Sequence, residues 1–111
     1  MSFTEPQLII LRAALARMVP ADQDLGAVEV GADEFIQSVM HMRPEWLEVY
    51  LGGLQSLDEL GFLELTPEQQ DVCLQRLVSQ GPFVDLLAQH AIEAFYTSQA
   101  GLEMVGFQVT G

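Results

Sequence analysis

The 111-residue chain has no lysine, no asparagine and a single cysteine, Cys73. One thiol cannot form an intrachain disulfide or a paired-cysteine metal motif, so its expected place is a buried core position. Without asparagine there is no N-glycosylation sequon. No apolar run approaches the roughly 20 residues that span a bilayer; the stretch from Leu8 to Val19 is interrupted by Arg12 and Arg17. Met1-Ser2-Phe3-Thr4-Glu5-Pro6 lacks the basic start of a signal peptide. The compartment expected is therefore the cytoplasm, or the periplasm if an export signal has been removed.

Catalytic patterns are missing too. His41 and His90 stand far apart, and there is no His-Glu-x-x-His, no nucleophile elbow and no glycine-rich phosphate loop. Asp22, Asp24, Glu29, Asp33 and Glu34 crowd one stretch but do not follow an EF-hand spacing, so they are expected to form a solvated acidic rim. No catalytic, metal-binding or cofactor-binding residue is expected in this chain. His41 would favour the end of a short helix. His90 falls at the border of an apolar arc, where a half-buried ring with one bonded nitrogen is expected.

Positive charge is scarce: Arg12, Arg17, Arg43 and Arg76 face sixteen acids, for a net charge of −12. Nucleic acid and anionic membrane surfaces would repel such a chain. Its acidity fits equally a solubilising surface or an electropositive docking patch on a partner. Half of the residues are apolar and only 18% are charged, which excludes a disordered class and suits one domain with apolar surface to spare. A permanent partner is the simplest reading.

What is present is helical. Thr4-Glu5-Pro6-Gln7 is a capping box with proline in the first turn, which predicts a helix from about Glu5 to Val19, stopped by Pro20. Leu8, Leu11, Leu15, Met18 and Val19 form its core stripe; Ile9, Ala13 and Ala16 lie on another side, open to a neighbour. Residues 20 to 32 read as the longest loop. A short helix carries Phe35, Ile36, Val39 and Met40 on one face and ends before Arg43-Pro44. A third runs from Pro44 to about Leu60, with Trp46, Leu47, Tyr50, Leu51, Leu54 and Leu57 inward. Gly52-Gly53 in its middle predicts a close backbone approach by a crossing helix. Gly61 caps it, and Phe62 and Leu65 point inward.

Thr66-Pro67-Glu68-Gln69 repeats the capping box and opens a fourth helix to about Gln80, with Cys73, Leu74, Leu77 and Val78 inward. Gly81-Pro82 precedes a fifth, to about Tyr96, whose apolar half holds Phe83, Val84, Leu87, Ala88, Ala91, Ile92, Ala94 and Phe95. Tyr96 falls among polar residues. Beyond it, Leu102, Met104, Val105 and Phe107 follow no helical or strand period. The fold expected is all-α, a small single domain of about five helices over residues 1–111, with an extended C-terminal tail from about residue 97.

The tail resembles a known ending. Phe95-Tyr96-Thr97-Ser98-x-x-Gly101 and Val105-Gly106-Phe107 are similar to the close of the gluconate 2-dehydrogenase subunit 3 family: paired aromatics, Thr-Ser-Pro, a glycine, then Leu-Gly-Tyr-x-Gly. Gln99, Phe107 and Val109 depart from that pattern. Val19-Pro20, Gly26-Ala27-Val28-Glu29 and Phe35-Ile36 resemble the family's opening, and Gly61-Phe62-x-x-Leu65-Thr66-x-x-Gln69-Gln70 its middle.

The resemblance implies a non-catalytic small subunit that supports folding, stability or export of an FAD-dependent large subunit of the glucose-methanol-choline type. That large subunit would hold FAD and the catalytic base, act on sugars, sugar acids, polyols or glycosides, and pass electrons on to an acceptor. The alternative is a free-standing acidic helical adaptor that binds another protein or an apolar ligand. The partner-binding residues expected are Ile9, Tyr96, Leu102, Met104 and Phe107, on the first helix, the outward side of the last helix and the tail.

Overall fold

The computed structural model describes residues 3–18 and 31–97, with side chains through Ala94. Five α-helices account for most of them: α1 (Glu5–Met18), α2 (Ala32–Met42), α3 (Leu47–Glu59), α4 (Pro67–Val78) and α5 (Phe83–Thr97). No strand occurs among the described residues. The all-α reading holds.

Both capping boxes form. The Thr66 hydroxyl accepts from the Gln69 amide at 3.2 Å while the Gln69 side chain accepts from the Thr66 amide at 3.0 Å. Thr4 and Gln7 make the same reciprocal pair at 2.8 and 3.3 Å. Each box satisfies two amides that the first helical turn would otherwise leave unpaired. Pro44 opens a 3-10 turn, Pro44–Trp46, before α3 proper. Gly61, at φ 68°, turns the chain out of α3 in the left-handed region that only glycine enters without strain.

Helices α1 and α5 each touch all four of the others, so they form the centre of the array. This widens the buried side of α1. Ile10, Leu11, Ala14 and Leu15 are buried, whereas Leu8 and Met18 of the expected stripe are only half-buried; Val19 lies outside the described residues. Two ion pairs tie α1 to its neighbours. Arg12 Nε reaches Asp33 Oδ2 of α2 at 2.8 Å, and Arg17 grips both carboxylate oxygens of Asp71 in α4 at 2.9 Å. Asp33 is therefore buried and paired, not part of a solvated rim. A carboxylate at the first turn of α2 also meets the positive end of that helix.

Two other positions correct the helix-face reading. Val78 is exposed, because the buried arc of α4 is centred on Cys73, Leu74 and Leu77 and Val78 falls past its edge. Ile92 is 52% exposed and points away from the core of α5. The buried residues there are Phe83, Val84, Leu87, His90, Ala91 and Ala94, so the expected half-cylinder gains His90 and loses Ile92.

Gly53 is where α5 crosses α3. A Cβ at residue 53 would collide with the Phe83 ring, while one at Gly52 would meet nothing within 4 Å. Only one glycine of the pair is thus required by packing. Gly52→Ala should raise the melting temperature, since alanine is favoured in a helix by about 1 kcal/mol. Gly53→Ala should lower it, because overpacking costs about 1–3 kcal/mol and outweighs the same propensity gain. Thermal unfolding of the two single variants checks the opposite signs.

Candidate functional site

The polar group buried deepest in the core is a histidine–tyrosine pair. Tyr50 of α3 is fully covered, and its hydroxyl lies 2.7 Å from Nδ1 of His90 in α5, which is 1% exposed. The two rings stack nearly parallel, 7° apart in plane and 5.8 Å between centroids. Trp46 lies 5.0 Å from the imidazole and Phe35 6.5 Å. Phe83 meets Tyr50 edge-on at 5.7 Å, and Phe3 lies 6.0 Å from it. Outside this cluster the Arg43 guanidinium covers the Trp46 ring at 4.7 Å and is fixed by Glu45 at 2.8 Å.

Burial pushes the Tyr50 phenol well above its ordinary range and pushes the His90 imidazole down, with Glu93 pulling the latter partly back. A protonated phenol beside a neutral imidazole can donate to Nδ1. Nε2 then carries the ring's proton, and it has no hydrogen-bond partner among the described residues. A general base must reach its substrate's proton directly or through one water; a ring sealed among aromatic side chains reaches neither. The pair is a packing element that sequence reasoning placed at a half-buried border.

Among the described residues no group of three or more His, Cys, Asp or Glu comes together as a metal site would require, and no helix is long and apolar enough to cross a membrane. His41 occupies the last turn of α2, as expected, and is exposed.

The surface is more informative. Ile9 is 45% exposed on α1. Tyr96 belongs to α5, but its side chain, like Leu102, Met104 and Phe107, lies outside the described residues. Ile92 adds apolar surface on the outward side of α5. A groove of about 520 Å³ runs along α4, walled by Leu60 and Leu65, with Val72 and Cys73 on the helix, Glu68 toward one end and Arg76 toward the other. Leu60 and Val72 are 55% and 49% exposed there. Burial raises the Cys73 thiol, only partly offset by Arg76, so it stays protonated and unreactive. The sequence signal for this groove was Val72, an apolar residue between Glu68 and Arg76 at successive i+4 positions.

The burial of His90 fixes a sign for stability against pH. Its folded-state pKa lies below the ordinary 6.5, so the unfolded chain takes up a proton that the folded chain refuses. Stability should be full above 6.5 and fall as the pH drops from there toward the lowered value, with a slope of at most about 1.4 kcal/mol per pH unit. Asp71 and Glu45, held below their ordinary values by Arg17 and Arg43, lose their contribution only in a more acidic window. Urea unfolding from pH 7.5 to 5 should show this slope, and His90→Gln, which keeps a partner for Tyr50 but does not titrate, should flatten it.

Comparison with curated proteins and with solved structures gives no match. Comparison with family models gives one that spans both ends of the described array and the tail: from residue 5 to residue 110 the chain fits gluconate 2-dehydrogenase subunit 3, and it belongs to that family.

Proposed function

We propose that this chain is a non-catalytic small subunit that binds and stabilises the FAD-dependent catalytic large subunit of a carbohydrate dehydrogenase or oxidase, acting on the CH–OH groups of a sugar, sugar acid or glycoside. The observation that carries the reading is the family match over residues 5–110. It is supported by the sealing of the buried histidine away from any substrate and by apolar side chains left on the surface, Ile9 and Ile92 among them. FAD is assigned to the large subunit of the glucose-methanol-choline type. Among the described residues there is no strand, and so none of the glycine-rich strand-to-helix turns that cradle a dinucleotide. Electrons would leave through that partner to its acceptor.

Docking is assigned to the outward side of α5 and the tail, through Tyr96, Leu102, Met104 and Phe107, with Ile9 of α1 as a further contact. Large aromatic anchors at interfaces often cost about 2 kcal/mol or more when truncated, and about 1.4 kcal/mol is tenfold in affinity. Co-expression with the proposed FAD-dependent large subunit should give a flavin-loaded complex that copurifies. Tyr96→Ala and Phe107→Ala should each weaken assembly at least about tenfold and leave the helical circular dichroism of the small subunit unchanged. Full-yield copurification of both variants would remove the tail from the interface, and failure of the wild-type pair to associate would overturn the subunit assignment. The complex is proposed to reside in the cytoplasm; recovery of the native chain from the periplasm would refute that compartment.

A further inference from the structure

The groove along α4 has a polarity that its proposed partner must match. It follows one face of the helix for its whole length, about 18 Å for twelve residues. Glu68 sits in the first turn and Arg76 in the last, with exposed Val72 midway between them. Arg12, Arg17 and Arg43 are each committed to a carboxylate, whereas Arg76 makes no ion pair among the described residues. A helix laid in this groove would pair best if it ran antiparallel to α4. It would then bring an acid to Arg76, an apolar residue to Val72 and a base to Glu68. Acid in the first turn and base in the last is also the order that the helix dipole favours.

Helix α4 itself carries that order. About a two-fold axis through Val72, residue 68 of each copy stands beside residue 76 of the other, because the two positions are equally far from 72. We infer that the α4 groove is the self-association surface of this protein, in which two copies pack their α4 helices antiparallel, Val72 on Val72, with Glu68 of each facing Arg76 of the other. Leu60 and Leu65 of each copy wall the partner helix, so apolar contact supplies affinity. The two exposed ion pairs set direction and register and add little strength. Each copy carries a charge of −12, so the association is expected at physiological salt, where charges more than about 8 Å apart are screened. The surface lies on a different helix from the proposed flavoprotein contact, and the inference stands without that reading.

Charge reversal makes the test specific. Two differently tagged copies of the full chain are co-expressed, and one is used to recover the other at physiological salt. Wild type should recover wild type. Glu68→Arg with itself places Arg against Arg, and Arg76→Glu with itself places Glu against Glu; each pairing should lose recovery at least about tenfold. A Glu68→Arg copy combined with an Arg76→Glu copy restores both opposite-charge contacts and should restore recovery. Because the mixed pair uses the same two chains, restoration also shows that each of them folds. Recovery of all pairings alike, or no rescue in the mixed pair, overturns the inference. A monomer mass for the wild-type chain by sedimentation at about 100 μM, a concentration that populates even weak dimers, overturns it whatever the variants do.

Discussion

The hydrogen bond between Tyr50 and His90 is the contact on which the rest of the core is arranged. It joins α3 to α5 at 2.7 Å where both groups are out of reach of water. A buried polar group left without its partner costs about 1–3 kcal/mol, so neither residue can be lost without stranding the other. The bond also demands that the two helices come close. Gly53 supplies the room, because the Phe83 ring lies where any side chain at residue 53 would be, and from there Phe83 meets Tyr50 edge to face. Trp46, brought in by the 3-10 turn after Arg43, packs against the imidazole as well, 5.0 Å between centroids. One polar pair, one missing Cβ and a ring of aromatic faces thus form a single unit.

Around that unit the scarcity of cations becomes a structural theme. Arginine forms forked, directional contacts that lysine cannot reproduce, and here such contacts hold helices together. Arg17 grips Asp71 with two nitrogens to bind α1 to α4, and Arg12 neutralises buried Asp33 to bind α1 to α2. Arg43 instead lies over Trp46 and bonds Glu45. Among the described residues the acids other than Asp33 are left at or near the surface, where their charge offsets exposed Met42, Leu60, Leu63 and Val72.

Much of this fold was legible in the sequence because its signals are local. Capping boxes at Thr4 and Thr66, a helix-opening proline at Pro67 and the turn at Gly61 each act within a few residues and can be recognised without knowing the neighbours. Position around a helix axis was harder. On α5, Phe83, Leu87, His90 and Ala94 fall at i, i+4, i+7 and i+11, a stripe that points one way; the expected face held three of the four, but hydrophobicity put Ile92 inside it and left His90 at its border. A histidine in such a stripe is core when a partner such as Tyr50 is waiting across the interface, and that partner lies 40 positions away. Asp33 was misplaced for the same reason, since the arginine that makes its burial tolerable is in another helix. Of the expected partner-binding residues only Ile9 has a described side chain. Tyr96, Leu102, Met104 and Phe107 rest on the tail's resemblance and on its aperiodic apolar pattern.

The placement of the arginines has a consequence for how this protein meets a protease. Trypsin cleaves after lysine or arginine, and this chain offers it four arginines. Arg12 and Arg17 lie within α1 and are engaged by carboxylates, Arg76 lies within α4, and Arg43 is followed by Pro44, a bond that trypsin cuts poorly. A protease needs an extended, accessible stretch of backbone, which a folded helix withholds until it opens. Neither residues 19–30 nor the tail contains a cleavage point. Tryptic digestion of this chain therefore reports the opening of its helices themselves, free of the background that nicked loops contribute in most proteins.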